Sequence, residues 1–544
     1  MAVNIMIQGT MSNAGKSLIA AGLCRVFAQD GYRVAPFKSQ NMALNSYVTE
    51  EGLEMGRAQA VQAEACGIRP SVRMNPILLK PTTDMGSQVI VNGKVRANMK
   101  AADYFRHKKD LIPEIMAAYR SLEEEYDIIV LEGAGSPAEI NLKKDDIVNM
   151  GMAQLADAPV LLVGDIDRGG VFAQLAGTVM LLEEEERARI RGLIINKFRG
   201  DLSILEPGLR MIEEICHRPV LGVVPYEKLD IDDEDSLSER LISGVSGTSE
   251  TYRDSCRTGV RCGEKIRESV RGGLDIAVVR LPRISNFTDF SALETAEGVR
   301  VRYGDTPAEL SGADMIILPG TKSTANDLAW LRRSGLAEEI VRQARAGTVI
   351  FGICGGYQML GSTVKDPYGV EAEFTGKEMP APLGLLPVDT CFQEQKTLGR
   401  SEGTVGTLDG IFRGLSGTDV RGYEIHMGTS VITRGREQEC LPFLKITGKD
   451  TAENGACRNA FQDGCVCGNV IGTYFHGIFD NREFTGKLLG ALAQRKGRDG
   501  QSFHMPDRET YRQQQYDRLA ALIRRSLDMK RIYRIMGLEP KEPE

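Results

Sequence analysis

Short apolar runs recur along this chain, and almost every one ends on a glycine or a chemically active residue. Ile128-Ile129-Val130-Leu131 runs into Glu132, Val160-Leu161-Leu162-Val163 into Gly164 and Asp165, and Leu193-Ile194-Ile195 into Asn196. Further on, Met315-Ile316-Ile317-Leu318 leads to Pro319-Gly320, and Val349-Ile350-Phe351-Gly352-Ile353 leads to Cys354. Continuous apolar strands alternating with helical stretches must be covered on both faces, and a parallel sheet flanked by helices does that. Such sheets gather their chemistry at the carboxyl ends of the strands, where these punctuating residues fall. The pattern predicts an α/β chain of doubly wound sheets.

A chain of 544 residues exceeds what one core supports, so two or three domains are expected. The first runs over 1–235 and closes on the acidic stretch Asp230-Ile231-Asp232-Asp233-Glu234-Asp235. Residues 236–273 are rich in Ser, Gly, Arg and Glu and read as a linker. A second α/β unit spans 274–490, with a polar, cysteine-bearing inserted loop over 433–468. The remainder, 491–544, is a helical extension in which Tyr516, Leu519, Leu522, Ile523, Leu527, Ile532 and Ile535 recur at helical steps, as expected for docking on the protein's own domains.

A net charge of −7, from 67 basic and 74 acidic residues, argues against a nucleic-acid surface. Eleven cysteines, odd in number and without framework spacing, indicate a reducing compartment. The start, Met1-Ala2-Val3-Asn4-Ile5-Met6-Ile7, reads as a buried strand rather than a signal peptide. No apolar run approaches the ~20 residues that span a bilayer. The expectation is a cytoplasmic protein without membrane contact, and a homo-oligomer is compatible with it.

The first strand enters Gly9-Thr10-Met11-Ser12-Asn13-Ala14-Gly15-Lys16-Ser17, followed by the helical run Leu18-Ile19-Ala20-Ala21. Strand, glycine loop, Lys-Ser and helix form a phosphate cradle. Amides from Gly9 through Asn13 to Gly15 face phosphate oxygens, Lys16 reaches the outer phosphates, and Ser17 ligates magnesium. Five residues, where the common motif has four, separate Gly9 from Gly15. Lys38 follows the second strand and offsets phosphate charge. Glu132, at a strand's carboxyl end, suits Mg2+ directly or through water. Asn196 is a candidate to read a base edge of the nucleotide.

In the second half, glycines around Cys354 permit a sharp strand-to-helix turn that leaves the sulfur at its tip. The run Val470-Ile471-Gly472-Thr473-Tyr474-Phe475 delivers His476. A Cys and a His brought to one sheet edge make a thiol hydrolase, with His476 as base and the amides of Gly355 and the Gly320 turn as an oxyanion site. His426, in Gly422-Tyr423-Glu424-Ile425-His426, is the competing histidine.

Taken together, these runs resemble the glutamine-dependent amidotransferases of cobalamin biosynthesis, the cobyric acid synthase family. The resemblance covers nearly the whole chain. It is carried by Gln8 to Ser17, Phe37-Lys38-Ser39-Gln40-Asn41-Met42, Glu54-Met55-Gly56-Arg57-Ala58-Gln59 and Asn75-Pro76-Ile77-Leu78-Leu79-Lys80-Pro81. The front half is similar to the dethiobiotin synthetase type of nucleotide-binding domain, whose phosphate loop carries the same extra residue. The rear half, through Gly352-Ile353-Cys354-Gly355-Gly356-Tyr357-Gln358 and Tyr474-Phe475-His476-Gly477, is similar to class I (triad) glutamine amidotransferases. The resemblance implies a P-loop-type parallel sheet fused to a class I glutamine amidotransferase sheet, with ATP, Mg2+, glutamine and a corrinoid acid as ligands. It also implies amidation of the b, d, e and g carboxylates of adenosylcobyrinic acid a,c-diamide.

One departure stands out. Triad domains place a Glu two residues after the His, where this chain has Ile478. The corrinoid amidases lack that Glu, which leaves a backbone carbonyl or another acid, Glu424 among the candidates, to orient His476 instead. Two alternatives stay open: the related synthase that amidates positions a and c, or another amidoligase of the same family, and an ATP-driven switch of the chromosome-partitioning kind. The second fits less well. Such switches carry a second lysine where this chain has Thr10-Met11-Ser12, and they have no use for a Cys–His half.

Overall fold

The computed structural model describes residues 2–83, 86–232, 273–371, 379–450, 460–498 and 503–539. The chain packs as two compact units. One comprises Met1–Ala43, Glu54–Glu234 and Glu509–Glu544, and the other Leu44–Leu53 and Asp235–Arg508. Most of the stretch expected as a linker, 236–273, lies outside the described residues.

The first unit begins with β1 (Val3–Gly9), helix α1 (Lys16–Gln29), β2 (Val34–Phe37) and β3 (Gln40–Met42). β4 (Ser46–Val48) belongs to the second unit; β5 (Glu54–Gly56) and helix α2 (Arg57–Ala65) return to the first. There follow β6 (Ile77–Thr83), β7 (Gly86–Val91), β8 (Lys94–Lys100), β9 (Ile128–Glu132), β10 (Val160–Asp165), β11 (Ile190–Phe198) and β12 (Val220–Pro225). Six of these form a parallel sheet in the order β12-β11-β10-β1-β9-β2. A smaller sheet has the order β3-β6-β7-β8. The apolar strands bury Ile5, Ile7, Val130, Val163 and Ile194 against Ile19, Leu23 and Phe27 of α1. The C-terminal helices Arg508–Ser526 and Met529–Ile535 complete this core with Leu519, Ile523 and Ile532. They approach α1 closely, since a Cβ on Gly22 would stand 2.5 Å from Ile523. The apolar periodicity of the tail is therefore a docking face, as its spacing predicts.

The second unit holds β13 (Leu274–Val279), β14 (Val299–Gly304), β15 (Met315–Leu318), β16 (Val349–Ile353), β17 (Thr363–Lys365), β18 (Val388–Val405), β19 (Asp419–Ile432), β20 (Leu441–Asp450), β21 (Phe461–Cys467) and β22 (Val470–Thr473). Their order is β14-β13-β15-β16-β22-β21-β20-β18-β17, with β19 on β18. The first five run parallel and carry the core; β21 turns antiparallel to β22 and opens a long antiparallel wing. The polar stretch expected as a loop over 433–468 thus supplies β20 and β21, apart from 451–459, outside the described residues. No helix among the described residues is long and apolar enough to cross a membrane.

Candidate active sites

In the second unit β15, β16 and β22 are parallel neighbours, so the residues after each emerge at one edge: Gly320, Cys354 and His476. Cys354 has φ 52° and ψ −109°, between β16 and the short helix Gly355–Leu360. An L-residue held there costs on the order of 1–3 kcal/mol, strain of the kind found at functional sites. The turn is tight because Gly356 lies on β15: a Cβ there would stand 2.0 Å from the Leu318 carbonyl oxygen. The Cys354 amide donates to Thr473 O at 2.8 Å, which ties the elbow to the strand that delivers His476. The sulfur lies 3.6 Å from Ile425 O.

His476 is fully buried, and its Nδ1 lies 2.7 Å from Asp289 Oδ2. A carboxylate oxygen accepts, so Nδ1 carries the proton. Asp289 Oδ1 accepts from the Gly477 amide at 3.1 Å, which fixes the carboxylate at both oxygens. Tyr423 stacks on the imidazole with centroids 5.1 Å apart and planes 13° apart. Burial works against an imidazolium, but Asp289 and then the Cys354 sulfur outweigh it, and the His476 pKa is pushed up to about 10. This arrangement can take the thiol proton and hold it as an imidazolium beside a thiolate.

The orienting acid differs from the sequence expectation. Glu424 accepts from Ser401 Oγ at 3.0 Å and lies 3.5 Å from His426 Nε2. Asp289 takes the position instead. It follows β13, and its partner His476 is 187 residues on, so no local spacing links the two. The legible signal was an acid after a strand that ends on the same sheet edge. His426 donates from Nδ1 to Gly428 O at 2.7 Å and stacks on Tyr474, which leaves His476 as the histidine at Cys354.

The two segments expected to make an oxyanion site lie side by side. A Cβ on Gly355 would stand 3.2 Å from the Thr321 nitrogen, and one on Gly320 would stand 3.1 Å from His476 Cε1. Behind them Thr324 Oγ1 donates to Gln358 Oε1 at 2.7 Å, and Gln358 Nε2 donates to Tyr474 OH at 3.2 Å. The helix after Cys354 is thereby tied to the strand end before His476.

In the first unit the loop from Gly9 to Ser17 has left-handed residues at Asn13 (φ 59°) and Gly15 (φ 95°). Lys16 Nζ donates to Met11 O at 3.0 Å and to Gly135 O at 3.1 Å, which curls the lysine back over the loop. Ser17 Oγ donates to Glu132 Oε1 at 2.7 Å, and Lys38 Nζ reaches the same oxygen at 3.1 Å. Glu132 Oε2 accepts from Gln62 Nε2 at 2.6 Å and Gln59 Nε2 at 3.3 Å, both from α2. These two glutamines, three residues apart on one helical face, were not among the expected site residues. Asn196 is buried and donates from Nδ2 to Ala14 O at 2.9 Å, which braces the phosphate loop.

Residues 5–237 match the model of the CobQ/CobB/MinD/ParA nucleotide binding domain, and 275–484 that of the CobB/CobQ-like glutamine amidotransferase domain. Site and fold therefore define a glutamine-dependent amidotransferase fused to a nucleotide-binding domain. Among curated relatives, the cobyric acid synthase of Lachnoclostridium phytofermentans is 55% identical over 98% of this chain and 99% of its own. That of Ruminiclostridium cellulolyticum is 53% identical over 99% of this chain and 98% of its own. The chain belongs to the cobyric acid synthase family.

Proposed function

We propose that the protein uses glutamine and ATP to convert corrinoid carboxylates to amides. The observation that carries the reading is the Cys354–His476–Asp289 alignment in a chain that also holds the Gly9–Ser17 phosphate loop. Cys354, its proton taken by His476, attacks the side-chain amide of glutamine. The Gly355 amide and one from the Gly320 turn stabilise the oxyanion. His476 returns its proton to the departing ammonia, then draws one from the water that cleaves the thioester.

The first unit binds ATP along the loop, with Lys16 on the outer phosphates and Lys38 offsetting charge as phosphate passes to a substrate carboxylate. Ammonia displaces phosphate from that acyl phosphate, giving the amide, ADP and phosphate. Ser17 and Glu132 place a hydroxyl and a carboxylate side by side, an oxygen pair that fits magnesium. When bound there, Mg2+ would offset phosphate charge. The substrate is adenosylcobyrinic acid a,c-diamide, amidated at b, d, e and g, because the relatives named above are cobyric acid synthases. Glutamine-dependent ADP release across a corrinoid panel, with product masses, tests this. Four added amides on the a,c-diamide support it, and two added to the unamidated ring would assign the a,c-synthase reaction.

Asp289→Asn should lower kcat for glutamine hydrolysis by about 10²-fold or more, as for other orienting acids. The sign of its pH effect follows from the imidazole. Asp289 raises the His476 pKa, so its loss makes the imidazolium deprotonate at lower pH. The alkaline limb of the glutaminase profile should therefore move down, by roughly a unit or more. An unmoved limb would remove Asp289 from this role.

A further inference from the structure

The turn that aims Asp289 is held by residues far away in sequence. Asn286 has φ 51°, its carbonyl accepts from the Asp289 amide at 3.0 Å, and the turn Phe287–Phe290 follows. The outer flank of this turn meets Leu44–Leu53, which leaves the first unit after Ala43 and returns to it at Glu54. Within that segment the Ser46 amide donates to Asn286 Oδ1 at 3.1 Å, and Asn45 Oδ1 accepts from Thr288 Oγ1 at 3.4 Å. The segment is clamped again where Arg400 Nε donates to Val48 O at 3.2 Å with its guanidinium over the Tyr47 ring. Asn45, Ser46, Asn286 and Thr288 are all buried. Water therefore has little access to replace these bonds, and their loss loosens the hold on the turn.

We infer that Leu44–Leu53 is a positioning element for Asp289, and through it for His476, so that glutamine hydrolysis depends on a segment borrowed from the first half of the chain. The inference deepens the glutaminase reading above and rests on it. A carboxylate that must hold both Nδ1 and the Gly477 amide tolerates little rotation, because each bond constrains a different oxygen. The two ends of the segment continue directly into β3 and β5. Beyond these lie Lys38 and Gln59, both bonded to Glu132, so the backbone itself links the segment to the phosphate site.

The test is the double variant Asn286→Gly/Thr288→Val in the full chain. Glycine keeps the left-handed turn and removes the acceptor for Ser46; valine keeps the shape of threonine and removes the donor to Asn45. The expected result is a kcat for glutamine hydrolysis lowered about tenfold, a small fraction of a full general-base effect. KM for glutamine stays unchanged, the alkaline limb moves in the same direction as in Asp289→Asn, and ammonia-dependent synthesis is kept. Native kcat with an unmoved alkaline limb would overturn the inference. So would an equal loss of glutamine- and ammonia-dependent activity accompanied by a lower melting temperature. Cys354→Ala separates the two levels: hydrolysis that survives it sinks the glutaminase reading itself, whatever the double variant does.

Discussion

Cys354→Ala should abolish glutamine hydrolysis, by at least about 10³-fold, while ammonia-dependent amide synthesis continues at its native rate. The loss is large because Cys354 would form the bond that the rest of the site only assists. The variant is also clean. Alanine inherits the same φ of 52° and the same strain, so the elbow has no reason to refold. His476 keeps Asp289 on Nδ1, and the Gly356 contact with β15 is untouched. Assaying amide formation with glutamine and then with high ammonium checks it. If ammonium failed to restore synthesis, nitrogen release and carboxylate activation would not be separable steps, and the two-site reading would fall.

Much of this architecture was readable because its constraints are local. A continuous apolar run such as Met315–Leu318 that ends on Pro319-Gly320 reads as a covered strand, and the residue after it then sits at the sheet's active edge. The glycines around Cys354 mark a sharp turn in the sequence itself, and the fold uses them: a Cβ on Gly356 would stand 2.0 Å from the Leu318 carbonyl oxygen. What escaped the sequence is what long-range pairing decides. β20 carries Lys445 and Thr447 and looks polar because these side chains are exposed, while Leu444 and Ile446 alternate with them and are buried. Ile478 showed that the usual acid was missing, but nothing near it pointed back to Asp289. Glu424 looked suitable for being close to a histidine in sequence, yet that histidine is His426. Gln59 and Gln62 carry no charge, so only the position of Glu132 gives them meaning. Leu44–Leu53 is silent for the same reason, since no compositional change marks its departure from one unit to the other.

Lys16→Ala should remove synthesis with either nitrogen source, by about 10²–10³-fold, the scale of losing one charge-stabilising donor. The mechanism differs from that at Cys354. Glu132 has its own cation in Lys38, at 3.1 Å, whereas the Lys16 ammonium rests on the Met11 and Gly135 carbonyls. A carbonyl is a weaker partner than a phosphate oxygen, so an arriving nucleotide can draw the lysine away from the loop. Removing it strips the loop of positive charge while Ser17, Glu132 and Lys38 keep their bonds to one another. Two carbonyls lose a donor, a cost of about 1 kcal/mol that lowers the melting temperature by only a few degrees. The stabilisation that ATP confers on the native protein should vanish as well, which a melting curve with and without nucleotide reads directly. Glutamine hydrolysis measured without ATP should stay native, because Cys354, His476 and Asp289 are untouched. Ammonia-dependent synthesis that survived Lys16→Ala would place the phosphate contact on another residue, with Lys38 the first to examine.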